Sequence, residues 1–158
     1  MSPAAVDENE QVLVFERTFL KPPSRVFAAF ETADMMRRWM GPEGITCPEG
    51  EVDFRIGGDW SITMKNSAGA LNHVSGCFTE IKPDAQIAFS WAWMQEDGTR
   101  GHETVVSIVL RDAPDGGTTM TFVQGPFQDG EARNNHEHGW AGSFDKLVRL
   151  IDGPAKMR

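Results

Sequence analysis

The 158-residue chain holds four histidines and twenty-three carboxylates, yet few of them stand in a pattern that could do chemistry. The one that invites attention is NNHEHGW, Asn134 to Trp140. His-x-His chelates a metal when it lies on a strand, where alternate side chains share a face. On a helix, advancing about 100° per residue, His136 and His138 point to opposite faces, so no metal site is expected. His136 lies one turn before Trp140 on the same face. A neutral imidazole there could act as a general base or hydrogen-bond to a ligand. The plain alternative is a capped, partly exposed histidine in the first helical turn. His102 is the second acid/base candidate. Glu103, Gln124 and Asp53 could approach the same rim, but their spacing fixes no geometry. No nucleophile elbow, phosphate-binding glycine loop or paired-carboxylate motif is present. Gly57-Gly58 and Gly116-Gly117 read as turns, and no cofactor is implied.

His136 must be positioned by the stretch Asn134–Ile151. Trp140, Phe144, Leu147 and Ile151 fall on one narrow helical stripe, flanked by Val148 and Leu150, with Asp145, Lys146 and Arg149 opposite. Eighteen residues of helix span about 27 Å, enough to cross a small domain. Upstream, Gln11–Leu20 alternates as a strand. Pro22 and Pro23 end it, and Pro23 can open a helix in which Val26, Phe27 and Phe30 keep helical spacing. A second short helix is expected over Asp34–Trp39, ended by Gly41.

From Glu51 to Gln124 the period is two, and six strands are expected. They are Val52–Ile56, a strand with Trp60, Ile62 and Met64 inward, Asn72–Ile81, and Gln86–Met94 with Ile87, Phe89, Trp91 and Trp93 on one face. The last two place Thr104, Val106, Ile108 and Leu110, then Met120, Phe122 and Gln124, inward. His102 is a marginal addition to the fifth of these strands. Short turns between consecutive strands imply an antiparallel meander with one buried face, and only the C-terminal helix is large enough to cover it. Trp60, Phe89, Trp91, Val106, Ile108, Met120, Phe122, His136, Trp140 and Phe144 are therefore the candidate lining of a cavity between sheet and helix. For Phe144 and Trp140 the competing reading is plain core packing.

Forty per cent hydrophobic and 24% charged residues describe a globular chain, and a net charge of −8 disfavours nucleic acid and anionic membrane surfaces. No apolar run approaches a membrane span, and no signal peptide is visible. Cys47 and Cys77 fit no metal spacing and are expected as free thiols in a cytoplasmic protein. Tyrosine is absent, whereas ten Phe, five Trp and eight Met supply apolar bulk. Residues 1–10 read as a flexible tail and residues 11–152 as a single ligand-binding domain.

Six motifs, in order, carry a family resemblance: VFERTF (14–19), VFAAFETADMMRRWMGPEG (26–44), VDFRIGGDW (52–60), GCFTEIKPDAQIAFSW (76–91), GTTMTFVQGPF (117–127) and HEHGWAGSFDKLVRLI (136–151). Together they resemble the family named after the C-terminal domain of the heat-shock-protein-90 ATPase activator. That family lies within the START and birch-pollen-allergen-like (SRPBCC) helix-grip superfamily. The resemblance implies an α+β helix-grip fold: a curved seven-stranded antiparallel sheet wrapped around a long C-terminal helix, with two short helices after strand 1. It also implies an apolar cavity between sheet and helix, and some relatives sequester or modify aromatic polyketides. Three functions follow as expectations. The first is binding of an apolar or aromatic small molecule. The second is a polyketide cyclase- or aromatase-like reaction with His136 as acid/base, and the third is docking on a chaperone or another protein. Homodimer formation stays open; nucleic acid and membrane insertion are not expected.

Overall fold

The run QVLVFERTF forms the first strand, β1 (Gln11–Phe19), burying Leu13 and Phe19 and leaving Val14 exposed. The computed structural model describes residues 11–153, so the tail expected over residues 1–10 lies outside it. Pro23 enters the first turn of α1 (Pro23–Ala28), where a missing N–H is no loss. Thr32 caps α2 (Ala33–Trp39), its Oγ1 accepting from Met35 N at 3.1 Å. Trp39 ends α2 fully buried, its indole N–H donating to Ala29 O at 3.0 Å.

The meander follows as β2 (Thr46–Val52), β3 (Asp59–Lys65), β4 (Leu71–Lys82), β5 (Gln86–Trp93), β6 (Thr104–Asp112) and β7 (Thr118–Phe127). All neighbours are antiparallel, in the order β1-β7-β6-β5-β4-β3-β2. The first strand thus pairs with the last, and α1 and α2 carry the chain from one edge of the sheet to the other.

One strand differs from its expectation. The second runs from Thr46 to Val52, not from Val52 to Ile56. As an edge strand it tolerates Pro48 and a register shift. Residues 53–58 instead fold back on themselves, with Arg55 N donating to Asp53 O and Gly58 N to Arg55 O, each at 2.8 Å. Phe54 turns inward onto Phe27 and Phe78, while Ile56 is 59% exposed. A Cβ on Gly58 would stand 2.0 Å from Asp53 O, so this fold-back requires glycine there. Asp53, a candidate for the cavity rim, instead forms an exposed ion pair with Arg55, at 2.9 Å.

The final helix, α3 (Gly130–Asp152), starts a turn earlier than the apolar spacing indicates, because Asp129 caps it by accepting from Ala132 N at 2.8 Å. Trp140, Phe144, Leu147 and Ile151 are buried and Asp145 and Arg149 exposed, as the stripe requires. Each buried side chain of this size contributes about 1.5–3 kcal/mol relative to exposure. Phe15 of β1 and Phe122 of β7 meet Phe144 edge-on, at 5.4 and 5.1 Å between ring centroids. At the far end the Asp152 carboxylate accepts from Leu20 N at 3.0 Å. The fold is the α+β helix grip. No helix among the described residues is long and apolar enough to cross a membrane. Cys47 and Cys77 are free thiols.

Candidate functional site

The C-terminal half of the α3 stripe is packed solidly against the sheet. Along the N-terminal half α3 still touches β5 and β7 through His136 and Trp140, and a cavity of about 360 Å³ opens beside these contacts, between the helix, the α2–β2 loop and the ends of β3 to β5. β5 supplies Trp91 and Trp93, and the facing ends of β3 and β4 supply Met64 and Asn72. The α2–β2 loop supplies Met40, Gly41, Pro42 and Ile45. From α3 come Asn135, His136, Gly139, Trp140 and Ser143.

Two glycines of α3 shape this space in opposite ways. A Cβ on Gly142 would stand 2.6 Å from Pro42 Cβ, so the bare residue lets the loop close on the helix. A Cβ on Gly139 would meet nothing within 4 Å, so there the absent side chain leaves a hollow. Ser143 holds the loop in place: its Oγ accepts from Gly41 N at 2.8 Å and donates to Gly139 O at 3.0 Å. Gly41 takes φ +93°, which favours glycine.

The polar atoms around the cavity are few. Trp93 Nε1–H donates to His136 Nε2 at 2.9 Å. An indole nitrogen can only donate, so His136 Nε2 accepts and its proton resides on Nδ1. That nitrogen donates to Ala132 O at 2.7 Å. Burial depresses the pKa of His136 and the bond to Ala132 opposes the shift only in part, so the ring is neutral near pH 7. Trp140 Nε1–H donates to Gln124 Oε1 at 2.7 Å, and Gln124 Nε2 to Thr104 Oγ1 at 2.8 Å. Trp91 Nε1–H, buried in the wall, has no partner among the described residues. Among the described residues, none of the lining side chains is an Asp, Glu, Lys or Arg.

Of the residues expected to line a cavity, Trp91, His136 and Trp140 do so. Trp60, Phe89, Val106, Ile108, Met120, Phe122 and Phe144 face inward but are consumed by the core. Trp60 packs on Phe89 and Trp91 at 5.3 and 5.5 Å, and its N–H reaches Ser90 O at 3.2 Å. Alternation selects the face of a strand; it carries no information on which part of that face meets a void. The acid/base groups do not converge. His102 is exposed in the loop before β6, bonded to Pro126 O at 2.7 Å, and Glu103 pairs with Arg100 at 2.8 Å. Gln124 is fully buried and used by Trp140 and Thr104. His138 is exposed while His136 is half-buried, so the HEH triplet divides between two surroundings. A second hollow, of about 390 Å³, lies on the outer face around Ser75, Cys77 and Ser90, and Arg100 there is already bound to Ser75 and Glu103.

The sequence profile of the Activator of Hsp90 ATPase homolog 1-like proteins (AHSA1) matches residues 21–152, the span from the end of β1 through α3. The chain belongs to this family. Among solved structures, the AHSA1 protein of Silicibacter pomeroyi is 31% identical over 89% of this chain and 96% of its own, with a TM-score of 0.79. A protein of Chromobacterium violaceum shares 24% identity over 91% and 99%, with a TM-score of 0.76. A protein of Arthrobacter aurescens shares 21% over 93% and 89%, with a TM-score of 0.80. These last two attest the fold alone. No protein of curated function matches the sequence.

In this AHSA1 chain the residues that sequence reasoning left out are chiefly those of the α2–β2 loop. Met40–Ile45 has no period, so nothing in it announces that it folds onto α3. Trp93 and Met64 were legible, since both alternate inward with the lining residues. Asn72, Asn135 and Gly139 carried no signal, because a polar rim and an absent side chain look like any exposed surface.

Proposed function

We propose that this chain is a small-molecule binding protein, holding an apolar or aromatic ligand in the cavity under the first half of α3. The observation that carries the reading is an uncharged cavity of about 360 Å³ whose wall includes three indoles, Trp91, Trp93 and Trp140. That volume lies in the roughly 300–1,000 Å³ range of small-molecule sites. Indole faces bind planar apolar rings by offset or edge-on stacking.

A cyclase- or aromatase-like reaction is the second reading, favoured by the presence of His136 in the wall. Both of its ring nitrogens are bonded, however, and to accept a proton Nε2 must first release Trp93. Binding makes no such demand. A chaperone-docking role comes only from the family description, and it predicts co-purification that survives filling of the cavity.

Gly139→Leu supplies the test, because the open space at Gly139 admits a side chain. Titration with fluorene should quench wild-type tryptophan emission saturably, with no chemical product. Gly139→Leu should keep its melting temperature and lose the binding. Fluorene binding that persists unchanged in a folded Gly139→Leu protein would place the ligand elsewhere, and turnover of an aromatic substrate that disappears in His136→Ala would favour the enzyme.

A further inference from the structure

We propose that two copies of this chain associate through the outer face of the sheet, over β1, β7, β6 and β5. That face lies on the far side of the sheet from α3, so the proposal does not depend on the cavity or its ligand. The register lines up the outward side chains in rows across the four strands. Val14, Val123, Ser107 and Ala88 form the central row. On one side stand Gly125, Val105 and Ser90, with Val12 lying over Gly125. On the other stand Glu16, Thr121, Val109 and Gln86. Glu16 is the one charge in the three rows, and Arg111 pairs with it at 3.6 Å. Val14 is 65% and Val105 47% exposed, although the solvated face of an antiparallel sheet is ordinarily polar. The β2–β4 half of the same face follows that rule, with Glu51, Asp59, His73 and Glu80 outward.

Charge decides the occupant. Each chain carries a net −8, so two copies repel over most of their surface. The three rows are where that repulsion is missing. A basic partner would seek the carboxylates instead, whereas an uncharged field suits a chain that repels its own copies elsewhere. Both ends of the field carry both signs, Glu16 with Arg111 at one and Glu103 with Arg100 at the other. Either end can therefore meet its own copy or the opposite end without a clash of like charges. With strands about 4.8 Å apart and alternate residues about 6.8 Å apart, the field covers about 400 Å². Stable interfaces bury about 800 Å² per partner, so the rows supply an uncharged centre and the ion-paired ends a polar rim. Sheets packed face to face lie about 10 Å apart, a spacing that these valines can fill by interdigitating.

Sedimentation equilibrium of the full chain over about 10–500 µM should show the wild type passing from one chain mass to two. Added NaCl should favour the dimer, because it screens the repulsion between two acidic chains. The double variant Val14→Lys, Val105→Lys makes each chain less acidic, yet it should keep its melting temperature and stay monomeric. Leu71→Lys, at a similarly exposed site outside the field, should dimerise as the wild type does. A wild type that stays monomeric throughout, or a dimer that persists in the folded double variant, overturns the proposal. So does a dimer that salt dissociates, since ion pairs would then hold it. Dimerisation only after removal of residues 1–10 would mean that the chain's own N-terminus covers the field, and overturns it too. Should the double variant misfold, the concentration dependence of the wild-type ¹H–¹⁵N spectrum decides. Shifts should fall on Val105, Ser107 and Val123, and shifts confined to other parts of the chain overturn the proposal.

Discussion

The indole N–H of Trp93 and Nε2 of His136, 2.9 Å apart, tie β5 to the first half of α3 in the wall of the cavity. The bond exists only while His136 is neutral. Burial lowers its pKa below the ordinary 6.5, so the unfolded chain takes up this proton before the folded one does. The contribution is therefore complete above about pH 6.5 and is lost as pH falls below it, until the folded imidazole is itself protonated.

His136→Gln keeps an acceptor for Trp93 and removes the titration. The urea midpoint of the wild type should fall between pH 7.5 and 5.5 by more than that of the variant. The slope attributable to His136 is bounded at about 1.4 kcal/mol per pH unit. Equal losses in the two proteins would show that His136 is not held neutral.

Leu147 lies fully buried in the stripe of α3. Leu147→Ala should destabilise the domain by about 2–5 kcal/mol in denaturant melts. A loss under about 0.5 kcal/mol, as at exposed sites, would mean that the sheet does not close on this part of the helix.

At Gly139, alanine should help rather than harm. The position is inside a helix and open to the cavity, so Gly139→Ala should stabilise by about 0.5–1 kcal/mol through helix propensity alone. The same change at Gly142 meets Pro42 Cβ at 2.6 Å and should destabilise. Melting temperatures that move the same way in both variants would contradict the packing of the α2–β2 loop.

The chain Trp140–Gln124–Thr104 is a buried relay of side-chain hydrogen bonds from α3 to β7 and β6. Gln124→Leu leaves the Trp140 N–H unpaired and should cost about 1–3 kcal/mol. Thr104→Val should add little in that background, although it is costly alone. Strict additivity in the double-mutant cycle would show that the two bonds are not energetically coupled.

Much of this architecture was legible because burial imposes a period. Trp140, Phe144, Leu147 and Ile151 recur at helical spacing, and Val106, Ile108, Met120 and Phe122 alternate, so face and element type could be read together. The second strand escaped because TCPEGEV shows no alternation; as an edge strand it is held by pairing with β3 on one side and by Arg37 of α2, which donates to Cys47 O and Pro48 O. The start of α3 escaped because its cap, Asp129, precedes a polar first turn. The site was legible only where lining and core share one signal, as at Trp91 and Trp140. Its other determinants are relations between distant residues: Gly41 with Ser143, Pro42 with Gly142, and Trp93 with His136.

The claim that a ligand sits between the first half of α3 and β5 is tested most directly by following the indole N–H signals of the five tryptophans during titration with fluorene. Trp91, Trp93 and Trp140 line the cavity, whereas Trp39 and Trp60 are buried outside it. The account predicts saturable shifts for the first three, with one common affinity, and much smaller shifts for the other two. Signals that all stay in place up to the solubility limit of fluorene, or shifts confined to Trp39 and Trp60, would contradict it.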